Sequence, residues 1–262
     1  MQTPHSLRSQ DPMAVAVTEA IRSGDLDALR RLLAGHPGLA TARVVEEREG
    51  CGPGGRSLLH LAADWPGHVP RGPETVAVLV EEGADPDARF VGTHRETPLH
   101  WAASNDDVPM IDALVAAGAD IEADGAVIAG GTPLADARAF GQWRAARRLL
   151  ELGARPTFQD AATLGLDEVV EAGLRATPPP SPEEIDEAFW GACHGGRLST
   201  AVRLRAVGAD MDRIGWGGLT PLDIARAGET PEAAEVAAWL TAAGARTHAE
   251  PDEADHSRPD LT

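Results

Sequence analysis

A Gly-Ala pair followed by a charged residue recurs along the chain, at Gly83-Ala84-Asp85, Gly118-Ala119-Asp120, Gly153-Ala154-Arg155, Gly208-Ala209-Asp210 and Gly244-Ala245-Arg246, with spacings of 35, 35, 55 and 36 residues. A second marker keeps step with the first. Thr97-Pro98-Leu99-His100 stands 21 residues ahead of Gly118, and Thr132-Pro133-Leu134 stands the same 21 ahead of Gly153. Ser57-Leu58-Leu59-His60 leads Gly83 by 26, Thr220-Pro221-Leu222 leads Gly244 by 24, and the offset of 21 picks out Glu187 ahead of Gly208. Two markers in register define a repeating unit. A period of this length points to stacked supersecondary units, none of which can bury its apolar face alone. A length of 262 residues would suggest two domains, whereas the period predicts one stack.

Between the markers each unit reads as two short helices. Thr or Ser caps the first, Pro opens it, Ala-Ala allows close packing, a Gly or polar turn follows, and the second helix stops at Gly. The segment Thr97 to Ala103, TPLHWAA, with Gly118-Ala119-Asp120 after it, resembles the ankyrin repeat, of the kind found in bacterial ankyrin repeat proteins. Degenerate copies cover most of the chain. The resemblance implies an all-α ankyrin-repeat solenoid of about seven helix-turn-helix units, with a cap-like unit near 13 to 36 and further units starting near Ser57, Thr97, Thr132, Thr157, Glu187 and Thr220. The domain plan expected is a flexible N-terminus at 1–12, the solenoid at 13–247 and a flexible acidic tail at 248–262. The Thr157 unit departs furthest from the pattern: its second helix runs into Pro178-Pro179-Pro180, and Ser181-Pro182-Glu183-Glu184 looks like a capping box that starts the next helix.

Composition narrows the chemistry. The chain is 43 % hydrophobic and 24 % charged, an ordinary globular balance. All 23 basic residues are arginine and there is no tyrosine, so Schiff-base and phosphate-loop lysines and phenolic acids or bases are excluded. The formal charge of −18 argues against nucleic acid and anionic membrane as partners, since a polyanion gains nothing from counterion release. Cys51 and Cys193 belong to no paired motif, the N-terminus lacks the basic and apolar regions of a signal peptide, and no apolar run has membrane-spanning length. These features predict a cytoplasmic protein with reduced thiols.

Two local motifs invite catalytic readings. Gly50 to Ser57, GCGPGGRS, has phosphate-loop spacing, but arginine stands where that chemistry uses lysine, and the repeat register makes Gly55 a loop residue and Ser57 a helix cap. His60, Asp64 and His68 are spaced by four, yet Pro66-Gly67 breaks any helix that would bring them together as metal ligands. The resemblance instead gives His60 and His100 the role of bonding to backbone and fixing a loop. Asp106-Asp107-Val108-Pro109 replaces the usual inter-helix glycine turn and reads as a helix cap. No metal or cofactor is implied.

The resemblance implies a non-catalytic module that binds an unidentified protein partner on its concave face and finger loops. The candidate contact residues are Arg56, Asp64, Trp65, Glu96, Trp101, Asn105, Phe140, Trp190, His194 and Trp216. A second reading stays open beside it. The rows of positions on the first helices alternate large aromatics with small residues and carboxylates, so that Ala135, Ala161 and Gly191 would leave room framed by Trp101, Phe140 and Trp190. Such a pocket could hold a small molecule, with Asp136, Asp160 or His194 as acid or base, and the irregular segment Trp65 to Pro73 could close over it as a lid. The plainer expectation is that the tryptophans fill that space and the carboxylates cap loops.

Overall fold

The computed structural model of the chain describes residues 6–48 and 52–248. Cys51, and the acidic tail apart from His248, lie outside the described residues. What is described is predominantly helical, with fourteen α-helices and three short strands. The chain divides into two compact units, residues 1–155 and 156–262. The first contains α1 (Pro12–Ser23), α2 (Leu26–Gly35), α3 (Leu58–Ala63), α4 (Gly72–Glu81), α5 (Pro98–Ser104), α6 (Val108–Ala116), α7 (Pro133–Ala139) and α8 (Trp143–Glu151). The second contains α9 (Phe158–Leu164), α10 (Asp167–Leu174), α11 (Pro182–His194), α12 (Leu198–Ala206), α13 (Pro221–Ala227) and α14 (Pro231–Ala242). Each odd-numbered helix packs on the even-numbered helix that follows it.

The two sequence markers are the two ends of such a pair. At the start, Ser57, Thr97, Thr157, Ser181 and Thr220 close capping boxes, in which the hydroxyl and the third residue of the helix satisfy each other's backbone. Where that third residue is histidine it also reaches the next repeat. His60 Nδ1 accepts from the Ser57 N–H at 3.3 Å, which leaves Nε2 as the donor to the Glu96 carbonyl at 3.1 Å. His100 bridges the Thr97 N–H and the Gly131 carbonyl in the same way. Both rings are buried, and desolvation lowers their pKa to about 3 and about 4. At the other end Gly118 adopts φ +95°, so that its N–H reaches Val115 and the Ala119 N–H reaches Leu114, closing the helix end.

The third residue of the marker makes an inter-repeat bond through its backbone: Asp120 N–H donates to Asp87 Oδ1, Arg155 N–H to Glu122 Oε1 and Arg246 N–H to Asp212 Oδ1, at 2.7–2.8 Å. Where that residue is arginine its side chain meets the same carboxylate, Arg246 Nε at 2.7 Å from Asp212 and Arg155 Nε at 3.6 Å from Glu122. The acid two residues after three of the markers, Asp87, Glu122 and Asp212, is therefore an acceptor for a later marker, whereas the Asp210 N–H donates to Asp186 Oδ1 instead.

Three features depart from the sequence reading. Ser6–Arg8, in the segment expected to be flexible, forms strand β1, parallel to β2 (Arg43–Arg48), and β2 pairs antiparallel with β3 (Gly52–Ser57); α1 already begins at Pro12. Gly55 is consequently a strand residue, not a loop residue, and it bridges onward to Val91 through both backbone bonds. Helix α11 starts from its Ser181–Glu184 capping box, as that motif predicts, so the unit expected to start near Glu187 opens well ahead of it. The second unit closes its own core, with Phe189, Ala192, Cys193, Leu204, Val236 and Leu240 fully buried.

Candidate binding surface

In the first unit the strands and helix ends build a line of alternating charges. Arg56, on β3, is only 12 % exposed and contacts both Glu46 on β2 and Asp64 at the end of α3, the latter at 2.7 Å. Asp64 accepts from Arg56 and, at 3.5 Å, from Arg22 in the last turn of α1, while its other oxygen accepts the Trp65 N–H at 3.0 Å. Arg56 and Asp64 therefore satisfy one another, which makes them parts of the scaffold around Trp65.

Trp65 itself is 80 % exposed. The loop that carries it is held by the next repeat: Asp107 accepts the His68 N–H at 2.6 Å while capping α6 through Met110 N–H, and Asn105 donates to the Ala63 carbonyl at 2.8 Å. Gly67 has φ +75°, and a β-carbon there would lie 2.9 Å from that of Asn105. The segment expected as a lid is thus fastened to its neighbour. His60, Asp64 and His68 point to three different partners, Ser57, Arg56 and Asp107. No group of three or more His, Cys, Asp or Glu among the described residues is placed to hold a metal ion.

Further along the unit, Trp101 lies edge-on to His60 with ring centroids 4.9 Å apart and tilted against Phe90 at 5.6 Å. Glu96 is buried and takes a hydrogen bond from Trp101; burial raises its pKa. Asp136, in the first turn of α7, is fully buried, and neither carboxyl oxygen closes a well-formed hydrogen bond. Burial, then the nearby charge of Glu96, pushes its pKa up to about 7, opposed by the backbone N–H groups of Ile128 and Val127 and by Arg138. Phe140, at the C-terminal end of α7, is 43 % exposed.

In the second unit Asp160 is the capping-box residue of α9: it accepts the Thr157 N–H at 2.9 Å and the Thr157 hydroxyl at 2.7 Å. Trp190 stacks on His194 with centroids 5.6 Å apart, and its indole N–H donates to the Leu219 carbonyl. The room expected beside Gly191 is occupied, since a β-carbon there would lie 2.3 Å from Thr163 Oγ1. Trp216 is 62 % exposed, in a short 3-10 turn at Trp216–Gly218. The three residues considered for acid-base chemistry fall in different units, Asp136 in the first and Asp160 and His194 in the second.

Of the ten residues read from sequence as contacts, the structure leaves Trp65, Phe140 and Trp216 as exposed aromatic surface, and gives most of the polar ones partners within the chain. Sequence reasoning did not pick out Arg22 or the anchoring role of Asp107. Arg22-Ser23 of the first helix pair stands where Asp64-Trp65 and Ser104-Asn105 stand in the next two, a correspondence that the missing Thr-Pro-Leu marker conceals.

Residues 71–160 match the family model "Ankyrin repeats" in three copies, so this part of the chain carries ankyrin repeats. The chain is also similar to an E3 ubiquitin-protein ligase, XB3, of Oryza sativa subsp. japonica, at 36 % identity over 102 residues. That alignment takes in 39 % of this chain and 20 % of the rice protein, so the chain spans about a fifth of that relative's length. Ankyrin repeats in general mediate contacts between proteins. Among the described residues no helix is long and apolar enough to cross a membrane.

Proposed function

We propose that the chain is a non-catalytic protein-binding module in which each helix pair is one unit of an ankyrin stack. The partner engages the concave face and finger loops expected of such a stack, with Trp65 and Phe140 as contacts from the first unit and Trp216 from the second. Arg56, Asp64, Glu96, Trp101, Asn105, Trp190 and His194 act behind them by shaping and holding the surface.

The observation that carries this reading is Trp65, 80 % exposed on a loop pinned by Asp107 and Asn105. Leaving an indole in water forgoes about 25 cal/mol for every Å² of apolar surface that could be buried. Fixing its loop in advance lowers the ordering cost of binding, and a rigid aromatic anchor is the usual centre of a protein interface. The test is quantitative affinity capture with the wild-type chain, Trp65→Ala, Trp216→Ala and the double variant, with circular dichroism to verify folding. Each single variant is expected to reduce recovery of the specific partner about tenfold or more, a loss of roughly 1.4 kcal/mol or greater. A double variant that recovers every partner at wild-type level overturns the reading.

A further inference from the structure

Two grooves of the first unit meet at one side chain. Arg22 lines a groove of ≈ 590 Å³ between α1 and strands β2 and β3, and also a groove of ≈ 370 Å³ formed with Leu61, Asp64, Trp65, Pro66 and His68. It is the outer end of the line Glu46, Arg56, Asp64, Arg22. The inner members neutralise each other at short range, Arg56 against two carboxylates and Asp64 against Arg56 and the Trp65 N–H. Arg22 is 57 % exposed and meets Asp64 through one nitrogen at 3.5 Å. A guanidinium has five N–H donors in a planar fork, and one long contact leaves most of them open to further acceptors.

The smaller groove therefore presents an exposed indole beside an open guanidinium. Its one carboxylate, Asp64, is already paired with Arg56 and takes the Trp65 N–H, and His68, exposed on the same loop, has Nδ1 3.6 Å from Asp107. Such a lining favours an apolar side chain and an anionic one side by side and gives an incoming ammonium or guanidinium no unpaired acid to meet. The charge of −18 on the whole chain does not reverse this choice. At physiological ionic strength charges beyond about 8 Å are largely screened, so selection is made by the groups lining the groove.

We propose that the Trp65 groove binds an acidic peptide segment of the partner, with an apolar side chain laid against Trp65 and a neighbouring Asp or Glu carboxylate seated in the Arg22 fork. The assignment rests on the protein-binding reading above and deepens it by naming the partner's chemistry. An Arg-carboxylate fork adds direction as well as attraction, which makes Arg22 the residue that sets specificity and Trp65 the residue that sets affinity.

The experiment is selection of random phage-displayed peptides against the full chain, followed by fluorescence-polarisation titration of the enriched peptides with wild type, Arg22→Gln, Arg22→Glu and Trp65→Ala. The expected result is enrichment of Asp or Glu next to an apolar residue. Both Arg22 variants should weaken such peptides about tenfold or more, and Arg22→Glu should regain affinity for the peptide whose acid is replaced by arginine. Enriched peptides that need Trp65 but are basic, or indifferent to Arg22, overturn the acidic-segment assignment and leave the protein-binding reading standing. Selection that yields no Trp65-dependent peptide overturns both. Arg22→Gln guards the test against repulsion between a new glutamate and Asp64.

Discussion

In the first unit Asp136 occupies the position held by Leu61 and Trp101 in the two preceding repeats, and its carboxyl is fully buried with Glu96 as a charged neighbour. Its folded pKa, about 7, lies above the ordinary 3.8, so the neutral form is the one the fold prefers. The stabilisation from that proton is complete below pH about 4 and is lost as pH rises through about 7. A shift of this size corresponds to at most about 4 kcal/mol. The buried histidines act with the opposite sign: His60 and His100 are held neutral with pKa lowered to about 3 and about 4, so their contribution is present above about pH 6.5 and declines as pH falls towards those values. Stability of the wild type should therefore pass through a maximum in the mildly acidic range. Replacing Asp136 by Asn removes the ionisation while keeping the shape. In urea titrations at pH 5.5 and pH 8, Asp136→Asn is expected to gain about 1–3 kcal/mol on the wild type at pH 8 relative to pH 5.5, because the cost of burying an amide is the same at both. An equal difference at the two pH values would show that Asp136 ionises freely.

At the scale of elements, the loop that presents Trp65 owes its position to a residue of the next repeat. Asp107 is buried and accepts two backbone N–H groups, Met110 at the start of α6 and His68 in the loop. Asp107→Ala leaves both donors without that acceptor, and is expected to cost about 1–2 kcal/mol and to raise amide exchange in residues 64–73, with Asp107→Asn intermediate. Exchange followed by mass spectrometry checks this; unchanged protection of that segment would show that the loop holds itself. The cap half of Asp107's role was legible in the sequence, from Asp followed by Val-Pro at a helix start, and the loop half was not, because His68 lies 39 residues away with no marker connecting them. The caps at Ser57, Thr97 and Thr220 and the capping box at Ser181 were legible for the same local reason. The sheet was not. Gly52–Ser57 has no alternation of apolar and polar residues, and its pairing with Arg43–Arg48 and then Val91 is satisfied by backbone groups that any sequence supplies. The aromatic positions stood out in the sequence; which of them remain exposed depended on neighbours such as Phe90 beside Trp101 and Thr163 beside Gly191.

At the scale of the molecule the repeat period predicts one continuous stack, whereas the chain divides at Arg155 into two compact units. The second carries a closed core in which Phe189 is fully buried, packed edge-on to Trp239 at 6.3 Å. In a repeat array, stability is a sum of unit terms and nearest-neighbour terms, so a defect deep in one core lowers local stability first and spreads only as far as the coupling carries it. Phe189→Ala removes a buried ring and leaves a cavity, at a cost of about 3–5 kcal/mol. If the division at Arg155 marks separate cooperative units, amide protection should fall in residues 158–242 and stay at its wild-type level in residues 12–151. Native-state hydrogen exchange on the full chain reads both ranges at once. A loss of the same size in the two ranges would mean that the chain unfolds as a single stack, and in that case a mutation in α11 would weaken binding at Trp65 as surely as one in the Trp65 loop.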